Sequence, residues 1–313
     1  MTYKILIVDR LHDSIVPLLE SAGLEVHYEP KINRVKLNKI LPDFDGLIDR
    51  SYLELTKPML DLATNLKFIA RAGAGLDKID LAEVERRGIQ LFNAPEGNRD
   101  ALAEHAMALL LSLLNNFKKS GREVRRWIWE REGNRGHELS SKTVGLIGYG
   151  HMGRSFAKRL VNFGCKIIAF DKYKTGFSDE YATEVSLEQI FEQTDILSLH
   201  IPLTDETDYL VDLDFLRKFK KPIWLMNTAR GKNLKTKDLT TALNEGIVLG
   251  AALDVLENEK FETLDFSQKD TYSQLFNNEN VIITPHVGGW SFESHVRINE
   301  VLVNKIKDYL SQI

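Results

Sequence analysis

Along the first hundred residues, short apolar runs alternate with longer stretches in which apolar positions recur every three or four residues. The runs Lys4 to Val8, Leu24 to Tyr28, Gly46 to Ile48, Lys67 to Ala70 and Ile89 to Phe92 are too short for helices and predict β-strands. Between them, Asp13 to Ala22 and Leu81 to Arg87 carry helical period. Strand–helix alternation of this kind predicts a parallel sheet wrapped by helices. A long helical pattern follows from about Asp100 to Lys119, with Leu102, Ala103, Ala106, Met107, Leu110, Leu113 and Leu114 on one broad apolar face. A second alternation then places strands at Thr143 to Ile147, Lys166 to Phe170, Ile196 to Leu199, Ile223 to Met226, Leu249 to Leu253 and Val281 to Ile283. The pattern predicts an α/β protein of two doubly wound parallel-sheet domains. A last helix, Ser291 to Leu310, has no strand after it and is expected to return to the first domain.

Composition narrows the class without naming a function. The 313 residues are enough for two cores without disulfide or metal staples. Forty-one basic residues against 45 acidic ones give a formal net charge of −4, which argues against nucleic acid as a partner. The one cysteine, Cys165, excludes an internal disulfide and multi-cysteine zinc sites, and fits a reducing compartment. No apolar run approaches a membrane span, and the opening run is too short for a signal-peptide core. A soluble, cytoplasmic protein with no metal site is the expectation.

The strongest local signal is Gly148-Tyr149-Gly150-His151-Met152-Gly153, a G-x-G-x-x-G that directly follows the strand Thr143 to Ile147 and opens a helical run. The first glycine permits a tight turn, the second lets a pyrophosphate approach the backbone, and the third lets helix and sheet pack closely. Unpaired N–H groups at the helix start then suit phosphate. Asp171, at the end of the next strand, is placed to accept hydrogen bonds from ribose hydroxyls and to repel a 2′-phosphate. NAD is therefore expected over NADP, although Lys172 and Lys174 follow closely.

Arg230, Glu259 and His286 lie beyond the carboxyl ends of three different predicted strands, which a parallel sheet would gather at the rim that carries Gly148 and Asp171. Taken singly, each has an ordinary alternative: a surface ion pair for Arg230, a solvated acidic loop for Glu259, a structural histidine for His286. Together they supply a rigid fork for a carboxylate, and an imidazole that takes a hydroxyl proton near neutral pH with a carboxylate to fix its tautomer.

Five segments carry a family resemblance: the glycine motif, His200-Ile201-Pro202-Leu203-Thr204, Asn227-Thr228-Ala229-Arg230-Gly231, Ala251-Ala252-Leu253-Asp254-Val255 and Thr284-Pro285-His286-Val287-Gly288-Gly289. As a set they resemble the D-isomer-specific 2-hydroxyacid dehydrogenases. The resemblance implies two Rossmann-like domains: a flavodoxin-like substrate domain of residues 1–99 plus 288–313, and an inserted NAD-binding domain of residues 100–287. It also implies a homodimer through the NAD-binding domains. It puts Arg230, Glu259 and His286 in the catalytic roles and Asp254 against the nicotinamide amide. Besides the glycine motif and Asp171, it sets His200, Pro202, Thr204, Thr228, Ala229 and Gly288 around the cofactor. Lys260 departs from the proline that many members carry after the catalytic glutamate.

Substrate identity must come from elsewhere. Arg50, Ser51 and Arg71 follow strands of the first domain, and Arg131 sits ahead of the second. Three arginines and a hydroxyl at one cleft exceed the needs of a single carboxylate and suggest a phosphate; chemistry alone leaves surface or interface roles for these arginines equally open. The same segments resemble those of the D-3-phosphoglycerate dehydrogenase branch. That resemblance implies oxidation of 3-phosphoglycerate, a reaction of serine biosynthesis, with Arg131 reaching the site from a partner subunit and the N–H groups near Ala74 and Gly75 contacting the carboxylate. The chain ends at Ile313, soon after the returning helix, which leaves no room for the regulatory domain of longer members, so no serine feedback is expected. The rivals are a glyoxylate or hydroxypyruvate reductase, an erythronate-4-phosphate dehydrogenase and, from another class, an NAD-sensing corepressor.

Overall fold

The structure, a computed structural model, describes residues Thr2 to Gln312. The chain divides into two compact units: residues up to Arg99 together with Trp290 onward, and Asp100 to Gly289.

The first unit holds β1 (Lys4–Ile7), β2 (Glu25–Tyr28), β3 (Gly46–Asp49), β4 (Phe68–Arg71) and β5 (Gln90–Asn93). They pair in parallel in the order β2-β1-β3-β4-β5, the flavodoxin-like order. Alternation along each strand feeds two cores. Leu6, Leu47 and Ile69 face one layer with Leu37 and Leu60. Ile5, Ile7, Ile48 and Ala70 face the other, which is covered by Ile298, Leu302 and Ile306 of the returning helix Phe292–Leu310. That helix opens on a Ser291/Ser294 capping box. At Gly97 a Cβ would lie 2.6 Å from the Ile298 nitrogen, so only glycine admits the close approach there. The return to the first unit begins at Trp290, not at 288, because the Gly288 N–H is bonded into the second unit at Asp254.

The second unit holds β6 (Thr143–Ile147), β7 (Lys166–Phe170), β8 (Thr183–Glu184), β9 (Ile196–Leu199), β10 (Ile223–Asn227), β11 (Val248–Leu253) and β12 (Val281–Ile283). The order β12-β11-β10-β9-β6-β7-β8 is doubly wound from β6, with the reversal between β6 and β9. Register pairs Phe170 with Ile147, Ile147 with Leu199, Leu199 with Asn227, Asn227 with Leu253, and Leu253 with Ile283. Six strands thus end level.

The long helical pattern resolves differently from the expectation of one helix over 100–119. A helix runs Pro95–Leu114, with proline at its first position, where its missing N–H is harmless. A second helix runs Phe117–Arg125. Asn116 between them adopts φ 54°, a left-handed conformation that asparagine tolerates, and its side-chain amide donates to the Arg135 carbonyl at 3.1 Å. The expected apolar face is buried all the same. Among the described residues no helix is long and apolar enough to cross a membrane.

Candidate active site

Because β6, β7, β9, β10, β11 and β12 end level, the residues immediately beyond them form one row: Gly148, Asp171, His200, Thr228, Asp254 and Thr284. The chemistry of the second unit is carried there and in the few residues that follow.

At the point of reversal, Gly148 has φ 92°, and a Cβ on it would meet the His200 carbonyl oxygen at 2.4 Å. Gly153 has no room either, since its Cβ would lie 2.3 Å from the Gly148 oxygen. Gly150, by contrast, caps the helix His151–Leu160 and faces open space, with nothing within 4 Å of the position a Cβ would take. Tight packing below and a clear space above is what a helix N-terminus needs to receive a pyrophosphate. Two buried polar atoms near this rim lack partners, Thr228 Oγ1 and His200 Nδ1. Burial pushes the His200 imidazole down to about 4, so it stays neutral at ordinary pH. These residues fit a dinucleotide. Asp171 is held by the N–H groups of Tyr149 (2.9 Å) and Tyr173 (3.0 Å). Pro202 and Thr204 form a turn closed by the Thr207 hydroxyl, which donates to the Pro202 carbonyl at 2.7 Å.

Asp254, almost fully buried, is the hub of the other half of the rim. Its carboxylate accepts from the Thr284 hydroxyl at 2.6 Å and from the N–H groups of Val287 at 2.9 Å and Gly288 at 2.7 Å. Burial raises its pKa, but hydrogen bonds from His105, Thr284, Val287 and Gly288 outweigh that and hold it below the usual carboxylate range. Gly288 must be glycine, since a Cβ would approach Asp254 Oδ2 to 2.9 Å. The Thr284 hydroxyl donates to Asp254, so its oxygen accepts from His105 Nε2 at 3.0 Å, which sets that ring's tautomer.

The same hub fixes His286. Its N–H is shared between the carbonyls of Asp254 (2.8 Å) and Thr284 (3.0 Å), which holds it at φ 55°, a conformation costing a non-glycine residue about 1 kcal/mol. Its Nδ1 lies 3.0 and 3.1 Å from the two Glu259 oxygens. Nδ1 therefore carries the proton, and the Nε2 lone pair is left to accept one. The Glu259 hydrogen bond is the main reason the imidazole pKa is raised; burial and Arg230 oppose it. Arg230 is thus close enough to act on His286 electrostatically. Its Nη1 donates to the Ala229 carbonyl at 2.7 Å and its N–H to Asn233 at 3.1 Å, while Asn227 clamps the turn by donating to the Arg230 carbonyl at 2.8 Å. Asn233 and His105 escaped the sequence reading, and Asn227 and Thr284 entered it only as members of the resembling segments, without a role of their own. All four act on other residues, and His105 sits on a helix face that reads as core.

The first unit gives the remaining residues mixed roles. Arg71 is only 8% exposed, its Nη1 is paired with buried Asp49, and its Nε donates to the Gly75 carbonyl at 3.1 Å. It braces the glycine-rich turn. Arg50 lies over the Trp290 ring, 4.4 Å from its centroid, and has no carboxylate partner among the described residues. The N–H groups of Arg50, Ser51 and Tyr52 all donate to Asp9, at 3.2, 2.7 and 3.0 Å, which fixes the turn carrying the Ser51 hydroxyl. Within the next turn, the carbonyls of Ala74 and Gly75 accept from Asn93 and Arg71, while their N–H groups have no protein acceptor among the described residues. Arg131 is exposed at the start of the single turn Glu132–Asn134 of the second unit.

Comparison with known proteins shows the family. The sequence model of the D-isomer specific 2-hydroxyacid dehydrogenase NAD binding domain matches residues 107–288. A hydroxypyruvate reductase of Thermotoga maritima is 36% identical over 307 residues, covering 97% of each chain. A D-3-phosphoglycerate dehydrogenase of Methanocaldococcus jannaschii is 33% identical over 98% of this chain, which spans only 57% of that relative's length. Among solved structures, D-lactate dehydrogenase of Aquifex aeolicus, complexed with NAD and lactic acid, aligns over 98% of this chain and 96% of its own with a TM-score of 0.85 and 27% identity.

Proposed function

The chain belongs to the D-isomer specific 2-hydroxyacid dehydrogenase family, whose cofactor is NAD, and from that premise we propose that it interconverts a small unphosphorylated D-2-hydroxy acid and its 2-keto acid, of the hydroxypyruvate and glyoxylate class. One observation carries the chemistry: Glu259 holds the Nδ1 proton of His286 on a loop fixed by Asp254, in the row that begins at the glycine turn. When bound, NAD supplies a two-electron acceptor or donor. Gly148, Gly150 and Gly153 with His151 and Met152 would hold its pyrophosphate, Asp171 its ribose, and Asp254 its amide. His200, Pro202, Thr204, Thr228, Ala229 and Gly288 would line it. His286 takes the proton of the substrate hydroxyl in oxidation and returns it in reduction, while Arg230 binds the carboxylate and polarises the C2 oxygen. Within the first unit, Arg50 and the N–H groups of Ala74 and Gly75 are suited to anionic substrate atoms.

The pairing of Arg71 with Asp49 favours an unphosphorylated acid, because it leaves less of that positive charge for a phosphate. Oxidation of 3-phosphoglycerate is the second reading, favoured by Arg50, which no carboxylate among the described residues neutralises. Nicotinamide absorbance with a panel of D-2-hydroxy and 2-keto acids, with and without phosphate, separates them. Turnover is expected with hydroxypyruvate or glyoxylate at well above the kcat/KM for phosphohydroxypyruvate, and the reverse ranking overturns this choice. No turnover with any acid, alongside NAD binding, points to the corepressor class. The working protein is proposed to be a cytoplasmic homodimer, in keeping with one cysteine and exposed aromatic residues beside the helix Phe117–Arg125.

A further inference from the structure

Two lysines follow the ribose carboxylate, and in isolation they would welcome a 2′-phosphate. The structure holds both. Lys174 Nζ donates to the Tyr149 carbonyl at 2.8 Å, inside the glycine turn. Lys172 Nζ donates to Glu206 Oε2 at 2.8 Å, and the Tyr173 hydroxyl donates to the same oxygen. Glu206 comes from the loop after β9, whereas Lys172 and Tyr173 follow β7, so one carboxylate ties together two loops that flank the glycine turn after β6. Hydrogen bonds from Lys172 and Tyr173 hold the Glu206 carboxyl below the usual carboxylate range, so it is ionised across the working pH range.

We propose that Glu206 is a second determinant of the preference for NAD over NADP: by pairing with Lys172 it cancels the cation that would otherwise offset Asp171. A 2′-phosphate would bring close to two negative charges to a place where the Asp171 charge stands and where both lysines are already engaged, Lys172 by Glu206 and Lys174 by the Tyr149 carbonyl. A single carboxylate at the end of β7 can be offset by a neighbouring lysine. Here that remedy is closed by the residue that occupies the lysine. The pair is solvent-exposed, so its own contribution to stability is small, and removing it should leave the fold intact. The Coulomb effect on a dianion is larger than on a ribose hydroxyl, which carries no charge. Discrimination, and not NAD affinity, is therefore what the clasp governs.

The inference rests on the assignment of Asp171 to the ribose, and binding of NADH and NADPH in the absence of substrate tests both. Dissociation constants from nicotinamide fluorescence are compared for the unmodified protein, Glu206→Gln, Asp171→Asn, and Glu206→Gln combined with Lys172→Ala. The unmodified protein is expected to prefer NADH. Glu206→Gln should tighten NADPH about 5-fold at low ionic strength while leaving NADH within 2-fold, and the gain should shrink as salt is raised. Adding Lys172→Ala should abolish the gain, because the released ammonium is what meets the phosphate. An unchanged NADPH/NADH ratio in Glu206→Gln overturns the proposal, as does a gain that survives Lys172→Ala. If Asp171→Asn leaves the ratio unmoved, the ribose assignment itself fails, whatever Glu206 does. If the unmodified protein binds NADPH as tightly as NADH, both fail together.

Discussion

Glu259 decides how His286 behaves. Its hydrogen bond is the largest influence on the imidazole and raises the pKa, while burial and the charge of Arg230 pull the other way. In Glu259→Gln the first influence goes and the other two stay, so the pKa should drop below the usual 6.5 or so of an imidazole. Oxidation needs the neutral ring and reduction the protonated one. The rise of oxidative kcat/KM with pH should therefore move to lower pH in the variant, and the reductive rate should fall off at lower pH than in the unmodified enzyme. Profiles in both directions from about pH 5 to 10 check this; an unchanged midpoint would take the proton-transfer role away from His286.

At the scale of elements, the turn after β10 is the tightest part of the site. Asn227 clamps it from within, Asn233 accepts the Arg230 N–H, and Gly231 lies against the loop after β11 so closely that a Cβ would fall 1.9 Å from the Leu256 carbonyl oxygen. Gly231→Ala should cost about 1–3 kcal/mol in chemical denaturation and, by displacing Arg230, should raise KM for the acid more than it weakens NAD. A variant with normal KM would mean that the backbone yields there without moving the arginine. The sheets themselves were legible in the chain, because buried parallel strands are near-continuous apolar runs; β6, β7, β9 and β12 begin and end where the pattern sets them. The two-residue β8 was not, being too short to show a period. The break at Asn116 was hidden because the apolar face continues up to it, and only the left-handed backbone of one residue ends the helix. The placement of Asp171, Arg230 and His286 at one rim was readable, because each stands within three residues of a strand end. The Arg71 pairing was not readable, since Asp49 is its neighbour on the adjacent strand and is 22 residues away in sequence.

For the molecule as a whole, the near-neutral charge of −4 conceals local features of either kind. One is apolar: Trp127 is 98% exposed and Trp129 82%, with Phe117, Val124 and Ile128 also exposed nearby in sequence. Two solvent-facing tryptophans in one short segment mark a surface built to be covered, and a second copy of the chain is the proposed cover. Trp127→Lys combined with Trp129→Lys should convert a dimer to a monomer in analytical ultracentrifugation at micromolar concentration; a monomeric unmodified protein would remove the dimer from the proposal.

The level row of strand ends bears on how such a protein can diverge over generations. Six strands stop at one height, and the groups of the second unit proposed to touch cofactor or acid are mounted on loops just beyond it. A mutation that lengthens or reshapes one loop changes one tool and leaves the other five at their stations, whereas a one-residue slip inside a strand would turn its whole apolar set to the wrong face. Inheritance can therefore experiment with substrates one loop at a time on a frame that tolerates almost no experiment at all.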